Sequence, residues 1–188
     1  MADQLYLSYW LRNYSELTML KHYEKLLRLF PFSRLATQAS TFQVLAVDYS
    51  EPTVLEVPFP PPVPLEEVLA VATDFQNADA CYRLESWWDL WQFDGDWKLT
   101  PCRVGLGCFG PEFRNENGEH LSIEFGIDAQ FLPQPEIDNG LRMIQGNIKS
   151  LLKLVHDLDD ALPVETRQLW SESGENFSEK LDEALRAV

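Results

Sequence analysis

The stretch "WWDLWQFDGDW" (residues 87–97) holds four of the six tryptophans in the chain. Its centre, Asp94-Gly95, lies between runs of β-forming residues. That is a strong signal for a two-residue hairpin turn, because both residues tolerate positive φ. The signal implies a register in which Phe93 faces Asp96, Gln92 faces Trp97, Trp91 faces Lys98, Leu90 faces Leu99 and Trp88 faces Pro101. Strand side chains alternate between faces. One face then carries Tyr82, Leu84, Trp88, Leu90, Trp97 and Leu99. The other carries Arg83, Glu85, Trp87, Asp89, Trp91, Phe93 and Lys98. The first set reads as core. The second mixes aromatic and charged groups, and Lys98 over Trp91 would add a cation–π contact of about 0.5–1 kcal/mol. Tryptophan is enriched in binding hot spots, so this second face is the candidate recognition surface. The competing expectation is that the C-terminal helices cover it.

Outward from the hairpin, "HLSIEFGIDAQFL" (120–132) alternates cleanly. Leu121, Ile123, Phe125, Ile127, Ala129 and Phe131 point one way, and Ser122, Glu124, Gly126, Asp128 and Gln130 the other. Asn117-Gly118 supplies a turn before it, so 80–93, 96–109 and 120–132 form an antiparallel meander. Toward the N-terminus, Gln4 to Arg12 reads as a strand. Ser15 reads as an N-cap for a helix with an apolar stripe of Met19, Leu20, Tyr23, Leu26, Leu27 and Phe30, stopped by Pro31. "TFQVLAVDY" (41–49) and "TVLEVPF" (53–59) form a hairpin whose second strand is an edge, because Pro58 cannot donate to a ladder. "PFPPPVP" (58–64) is an extended connector, and Pro64 opens a short helix from Leu65 to Phe75. Toward the C-terminus, Asn139 caps a long helix with the stripe Leu141, Ile144, Ile148, Leu151, Leu152, Val155 and Leu158, ended by Pro163. A last amphipathic helix from Ser178 to Val188 presents Leu181, Ala184, Leu185 and Val188.

This order predicts an α+β fold, a largely antiparallel sheet with helices packed on it, with a ferredoxin-like elaboration as the first topology and helices at the C-terminus. Residues 1–162 are expected as the α+β domain. Residues 163–188 are expected as an acidic helical appendage packed on it. No internal repeat is present.

A chain of 188 residues that is 45% hydrophobic and 12% aromatic has ample material for one core. Its formal net charge is −15. Phosphate recognition needs basic residues, so nucleic acid is excluded as a partner, and an anionic membrane surface would repel the chain. A basic protein partner fits the sign. Residues 157–188 form the acidic pole, with nine acids against Arg167, Lys180 and Arg186. There is no basic segment leading an apolar run at the start, and no apolar stretch near the roughly 18 residues of a membrane span. Cys81, Cys102 and Cys108 are odd in number and lack C-x-x-C spacing. A soluble, reducing, cytoplasmic setting is the expectation.

No motif names a reaction. "GLGCFG" (105–110) is a literal G-x-G-x-x-G, but the dinucleotide fingerprint needs a helix directly after it, and "PEFRNENGEH" follows instead. His22, His120 and His156 lack zinc-site spacing, and there is no G-x-S-x-G. Glu124 and Asp128 share one strand face roughly 13 Å apart, too far for a carboxylate pair unless Glu85 and Asp89 join them. The sequence therefore predicts no catalytic residue, metal or cofactor. It predicts a non-enzymatic interaction module, in concrete form an inhibitor or immunity-type binder of a basic partner, acting through Trp87, Trp91, Phe93, Lys98, Glu124 and Asp128. The rival expectation is a small enzyme or ligand-binding domain with a pocket between the sheet and the long helix. A homodimer built on a strand edge or on the last helix is a third.

Overall fold

The computed structural model describes residues 3–186. Val188, expected on the last helix, lies outside them. The elements run β1 (Gln4–Leu11), α1 (Glu16–Leu29), β2 (Ser40–Ala46), β3 (Leu55–Phe59), α2 (Leu65–Asp74), β4 (Ala80–Phe93), β5 (Trp97–Phe109), β6 (Leu121–Ile127), a short 3-10 turn (Asp128–Phe131), α3 (Gly140–Ala161), β7 (Val164–Ser171) and α4 (Phe177–Arg186). The strands form one seven-stranded sheet in the order β3-β2-β4-β5-β6-β1-β7. Every neighbouring pair is antiparallel. This is the α+β class, with helices packed on a sheet.

The ferredoxin-like arrangement is not formed. Strands β1 and β2 run in the same direction, but β6, β5 and β4 lie between them. A split β-α-β unit would leave a single strand in that gap. No neighbouring parallel pair results.

The segment after Pro163 also differs from expectation. It begins with strand β7, which pairs with β1 from Leu5↔Ser171 to Leu11↔Val164. Only α4 is helical. As an edge strand, β7 buries only Leu169 and Ser171. A strand with so little apolar alternation gives little periodic signal.

The hairpin register is shifted by one residue. Phe93 pairs with Trp97, Gln92 with Lys98, Trp91 with Leu99 and Trp88 with Cys102. A two-residue type I′ turn needs positive φ at both residues, and here only Gly95 has it (φ +72°). Asp94, Gly95 and Asp96 thus make a three-residue loop. One step of register moves every β5 side chain to the opposite face. Trp97 and Leu99 now share a face with Trp91 and Phe93, while Lys98 joins Gln92 on the other.

In β4, buried and half-buried residues alternate from Tyr82 to Trp91. The buried set, Tyr82, Leu84, Trp88 and Leu90, faces inward. It meets Leu5, Leu7 and Tyr9 of β1, Leu106 of β5 and Leu121, Ile123 and Phe125 of β6 in one core. All four helices contribute to that same core: Met19, Tyr23, Leu26 and Leu27 from α1, Val68 and Ala72 from α2, Ile144 to Leu158 from α3, and Phe177 and Leu181 from α4. The Tyr23 hydroxyl, inside the core, donates to the Leu106 carbonyl at 2.8 Å. The helices thus cover the inward side, and α3 also reaches the open edge of β4 and the Trp91 ring. On the other side, the one buried apolar cluster among the described residues is Leu45, Cys81, Phe109 and Phe113, and it has no helical member.

Beyond Glu85, β4 has no strand on its β2 side. Buried backbone groups still need partners. Ser33 N–H donates to the Trp87 carbonyl at 2.8 Å. At Trp91 a side chain of α3 replaces the missing strand: Asn147 Oδ1 accepts from Trp91 N–H at 2.8 Å, and its Nδ2 donates to the Trp91 and Gln130 carbonyls at 2.9 Å. Asn147 is 1% exposed. Replacing it with alanine leaves three half-buried backbone groups without their partner, so Asn147→Ala should destabilise the fold by about 3 kcal/mol in urea denaturation.

Candidate functional site

The outward side of the sheet is organised in rows. In register across it lie Pro58, Thr41, Glu85, Gly105, Glu124, Tyr6 and Trp170. Gly105 leaves a gap between two glutamates. Arg83 fills it: a methyl on Gly105 would sit 3.1 Å from the guanidinium. The guanidinium pairs with Glu124 at 2.7 Å and approaches Glu85 at 3.4 Å. Burial by itself would lower the Arg83 pKa, but the two carboxylates outweigh it and hold it above the ordinary value. Arg83 Nε is buried without an aligned hydrogen-bond partner; its 3.4 Å contact to Glu85 is an ion pair only. Beside this group lies a cavity of about 240 Å3 lined by Gln4, Arg83, Glu85, Arg103, Glu124 and the glycines 105 and 126.

Aromatic rings flank it. On one side Tyr6 stacks on Trp170 with ring centres 4.7 Å apart, and the Trp170 indole N–H donates to Ser8 Oγ at 3.0 Å. On the other, Arg103 lies 5.8 Å over the Trp87 ring and 3.2 Å from Glu85. Trp10 belongs to the same face and is half-buried. The Tyr6 hydroxyl titrates above its usual range because of burial and then of Glu124 and Glu172.

The six residues expected to form the surface therefore separate. Trp87 and Glu124 sit on the outward face. Phe93 is exposed at the hairpin tip and packs on Trp97 at 5.5 Å. Trp91 lies against α3, where a methyl on Gly146 would be 3.3 Å from its ring. Lys98 is turned away by the register shift, so the cation on a tryptophan is Arg103 on Trp87. Asp128 is not on the face at all. Gly126 takes φ +71° and ends the alternation. Ile127 is thereby exposed, and Asp128 opens the 3-10 turn, 1% exposed and 2.7 Å from Lys180 of α4. Arg83 was placed on this face but not among the six, and Tyr6, Trp10, Trp170 and Arg103 were missed. Tyr6 and Trp10 lie on a strand that was recognised, but assigning them to this face requires the β1–β6 pairing.

A cavity of about 220 Å3 lies between the hairpin tip and the start of α3, lined by Trp91, Trp97, Gln130, Ile137 and Ile144 among others. "GLGCFG" lies on β5 and at the following turn, with a loop rather than a helix after it. Burial pushes the Cys108 thiol up to about 12 and Cys102 up to about 11, so these are poor nucleophiles at neutral pH. Among the described residues no group of three or more His, Cys, Asp or Glu is placed to hold a metal ion, and no helix is long and apolar enough to cross a membrane.

Two histidines sit behind the sheet. His120 stacks on Tyr14 at 4.0 Å, and its Nδ1 accepts the Leu11 N–H at 2.8 Å. His22 is 8% exposed and its Nδ1 has no partner. Burial lowers both pKa values below the ordinary 6.5, and Lys25 and Lys21 add to the effect at His22.

Two measurements follow from this geometry. Lys180→Met leaves the Asp128 carboxylate buried without its cation and should cost about 2 to 3 kcal/mol. Glu124→Gln, at a half-exposed pair, should cost under about 1 kcal/mol. Both are read from denaturant midpoints. As pH falls below 6.5 the unfolded chain takes up protons at His22 and His120 while the folded chain does not. Their stabilising effect is thus complete above that pH and declines until the folded pKa values are passed. His120→Asn keeps an acceptor for Leu11 but cannot titrate, and should flatten this slope in melts between neutral and mildly acidic pH.

No protein-family model, curated protein or solved structure matches this chain.

Proposed function

We propose that this chain is a non-enzymatic protein-interaction module, that its recognition surface is the outward face of the sheet away from the hairpin end, where α3 packs on Trp91, and that its partner is a protein with a basic surface. The observation that carries the reading is the composition of that face. Tyr6, Trp10, Trp87 and Trp170 are half-buried on it around Arg83 and Arg103. Trp, Tyr and Arg are the residues that dominate binding hot spots. The rings are already held in place, Trp170 by Ser8 and Tyr6, and Trp87 by Arg103. Little side-chain freedom would be lost on association.

The sign of the partner comes from the charge. Both arginines are spent on Glu85 and Glu124, while the chain as a whole carries −15. A basic surface would be steered toward it. An inhibitor or immunity-type protein that caps a basic partner is the concrete form of this reading.

The test uses the intact chain as bait in lysate of its source organism, beside Trp10→Ser/Trp170→Ser on the outward face and Leu152→Ser on the helical side. The expected result is one partner held by wild type and Leu152→Ser, and bound about 30-fold or more weakly by the outward-face variant. Its association rate should fall steeply with added salt. Undiminished binding by a folded outward-face variant, or a salt-independent rate, would overturn the proposal.

A further inference from the structure

A cavity of about 570 Å3 lies at the edge of the sheet, apart from the Tyr6–Trp170 row. It is within the range of about 300–1,000 Å3 usual for small-molecule sites. It forms where β2 begins at Ser40 and β4 runs on without it. The chain between α1 and β2 takes the strand's place, and the segment from Pro61 to Leu65 closes the opposite wall. The loop is fixed rather than loosely draped. Ser33 Oγ and Arg34 N–H both donate to the Asp89 carboxylate, and Ser33 Oγ in turn accepts from the N–H groups of Leu35 and Ala36.

The lining divides sharply by chemistry. Phe32, Trp87 and the Pro61–Val63 run make apolar walls. Ser40 and Ser86 also line the cavity, 3% and 4% exposed, with their hydroxyl oxygens 2.8 Å apart. One hydroxyl donates to the other. The second hydrogen has no acceptor among the described residues, which leaves a spare donor on a pair of residues that line the cavity. Arg34 also lines it. Its side chain is exposed and makes no ion pair among the described residues. No aspartate or glutamate lines the cavity, although acids outnumber bases two to one in the chain. The Asp89 carboxylate is occupied by the loop.

Apolar walls, a spare buried hydroxyl donor and a free guanidinium, with no anion among them, define a ligand. We propose that this cavity binds a small amphipathic carboxylate, its aromatic or short aliphatic body between Trp87, Phe32 and the prolines and its acceptor oxygens on Arg34 and the serine pair. The inference does not rest on the outward face being a docking surface, and the two fail separately.

The test titrates naphthoate, and its uncharged counterpart naphthamide, into the isotope-labelled full chain, with thermal melts in parallel. Naphthoate should raise the melting temperature and shift the amide signals of residues 33–38 and 86–87, with naphthamide bound about ten-fold more weakly. Arg34→Gln should bring the two ligands to equal, weak affinity. Ala36→Trp, which fills the cavity, should abolish both. Because Arg34 is exposed and unpaired, its variant decides the matter even if Ala36→Trp does not fold. The proposal is overturned if naphthoate at millimolar concentration leaves those signals in place, or if wild type binds the acid and the amide equally.

Discussion

The structure turns on one backbone constraint. Strands β4 and β5 pair from Cys81↔Phe109 to Phe93↔Trp97, but β2 accompanies β4 only as far as Glu85. The rest of β4 has an open edge whose polar groups must be satisfied on the way into a protein interior. Ser33 serves Trp87, and Asn147 serves Trp91. The first contact places the loop after α1 along the edge, beside the cavity of about 570 Å3. The second ties the long helix to the hairpin. Both follow from a strand that is longer than its neighbour.

The second organising feature is one-sidedness. Every helix buries its apolar stripe against the same face of the sheet. The outward face is left with residues that are neither core nor ordinary solvated surface. A glycine at position 105 lets Arg83 lie flat between two glutamates, and aromatic rings pack at either side. The ion pairs there are half-exposed and add little stability. Their consequence is neutralisation: the arginines cancel the local acids, leaving the rest of the chain to set the long-range field. The large cavity, which holds a free guanidinium and no acid, is the exception to that field.

The strands of the meander, α1 with its Ser15 cap and Pro31 stop, the edge strand with Pro58 and the long helix ended near Pro163 were all legible, because each rests on periodicity or on a residue with a fixed backbone preference. Two errors share one cause. At Gly95 and at Gly126 a single glycine adopts positive φ, and each time the faces downstream depend on how the chain absorbs it. A glycine announces that freedom but not its use. Hence Lys98 was assigned to the wrong face, and Asp128 was taken for a surface carboxylate when it is a buried partner of Lys180. Strand β7 was missed because an edge strand needs little apolar alternation.

The amino-acid sequence by itself determined the class of the fold, the identity of most elements, the inward half of β4 including Trp88, and the acidic character of the chain. These depend on neighbours within a turn or a strand, or on composition alone. Only the tertiary structure decided the strand order, the grouping of Tyr6, Trp10, Trp87 and Trp170 on one face, and the closing of the β4 edge by Ser33 and Asn147. Those depend on which distant segments supply the hydrogen bonds that a strand cannot make for itself, and no local pattern of residues encodes that choice.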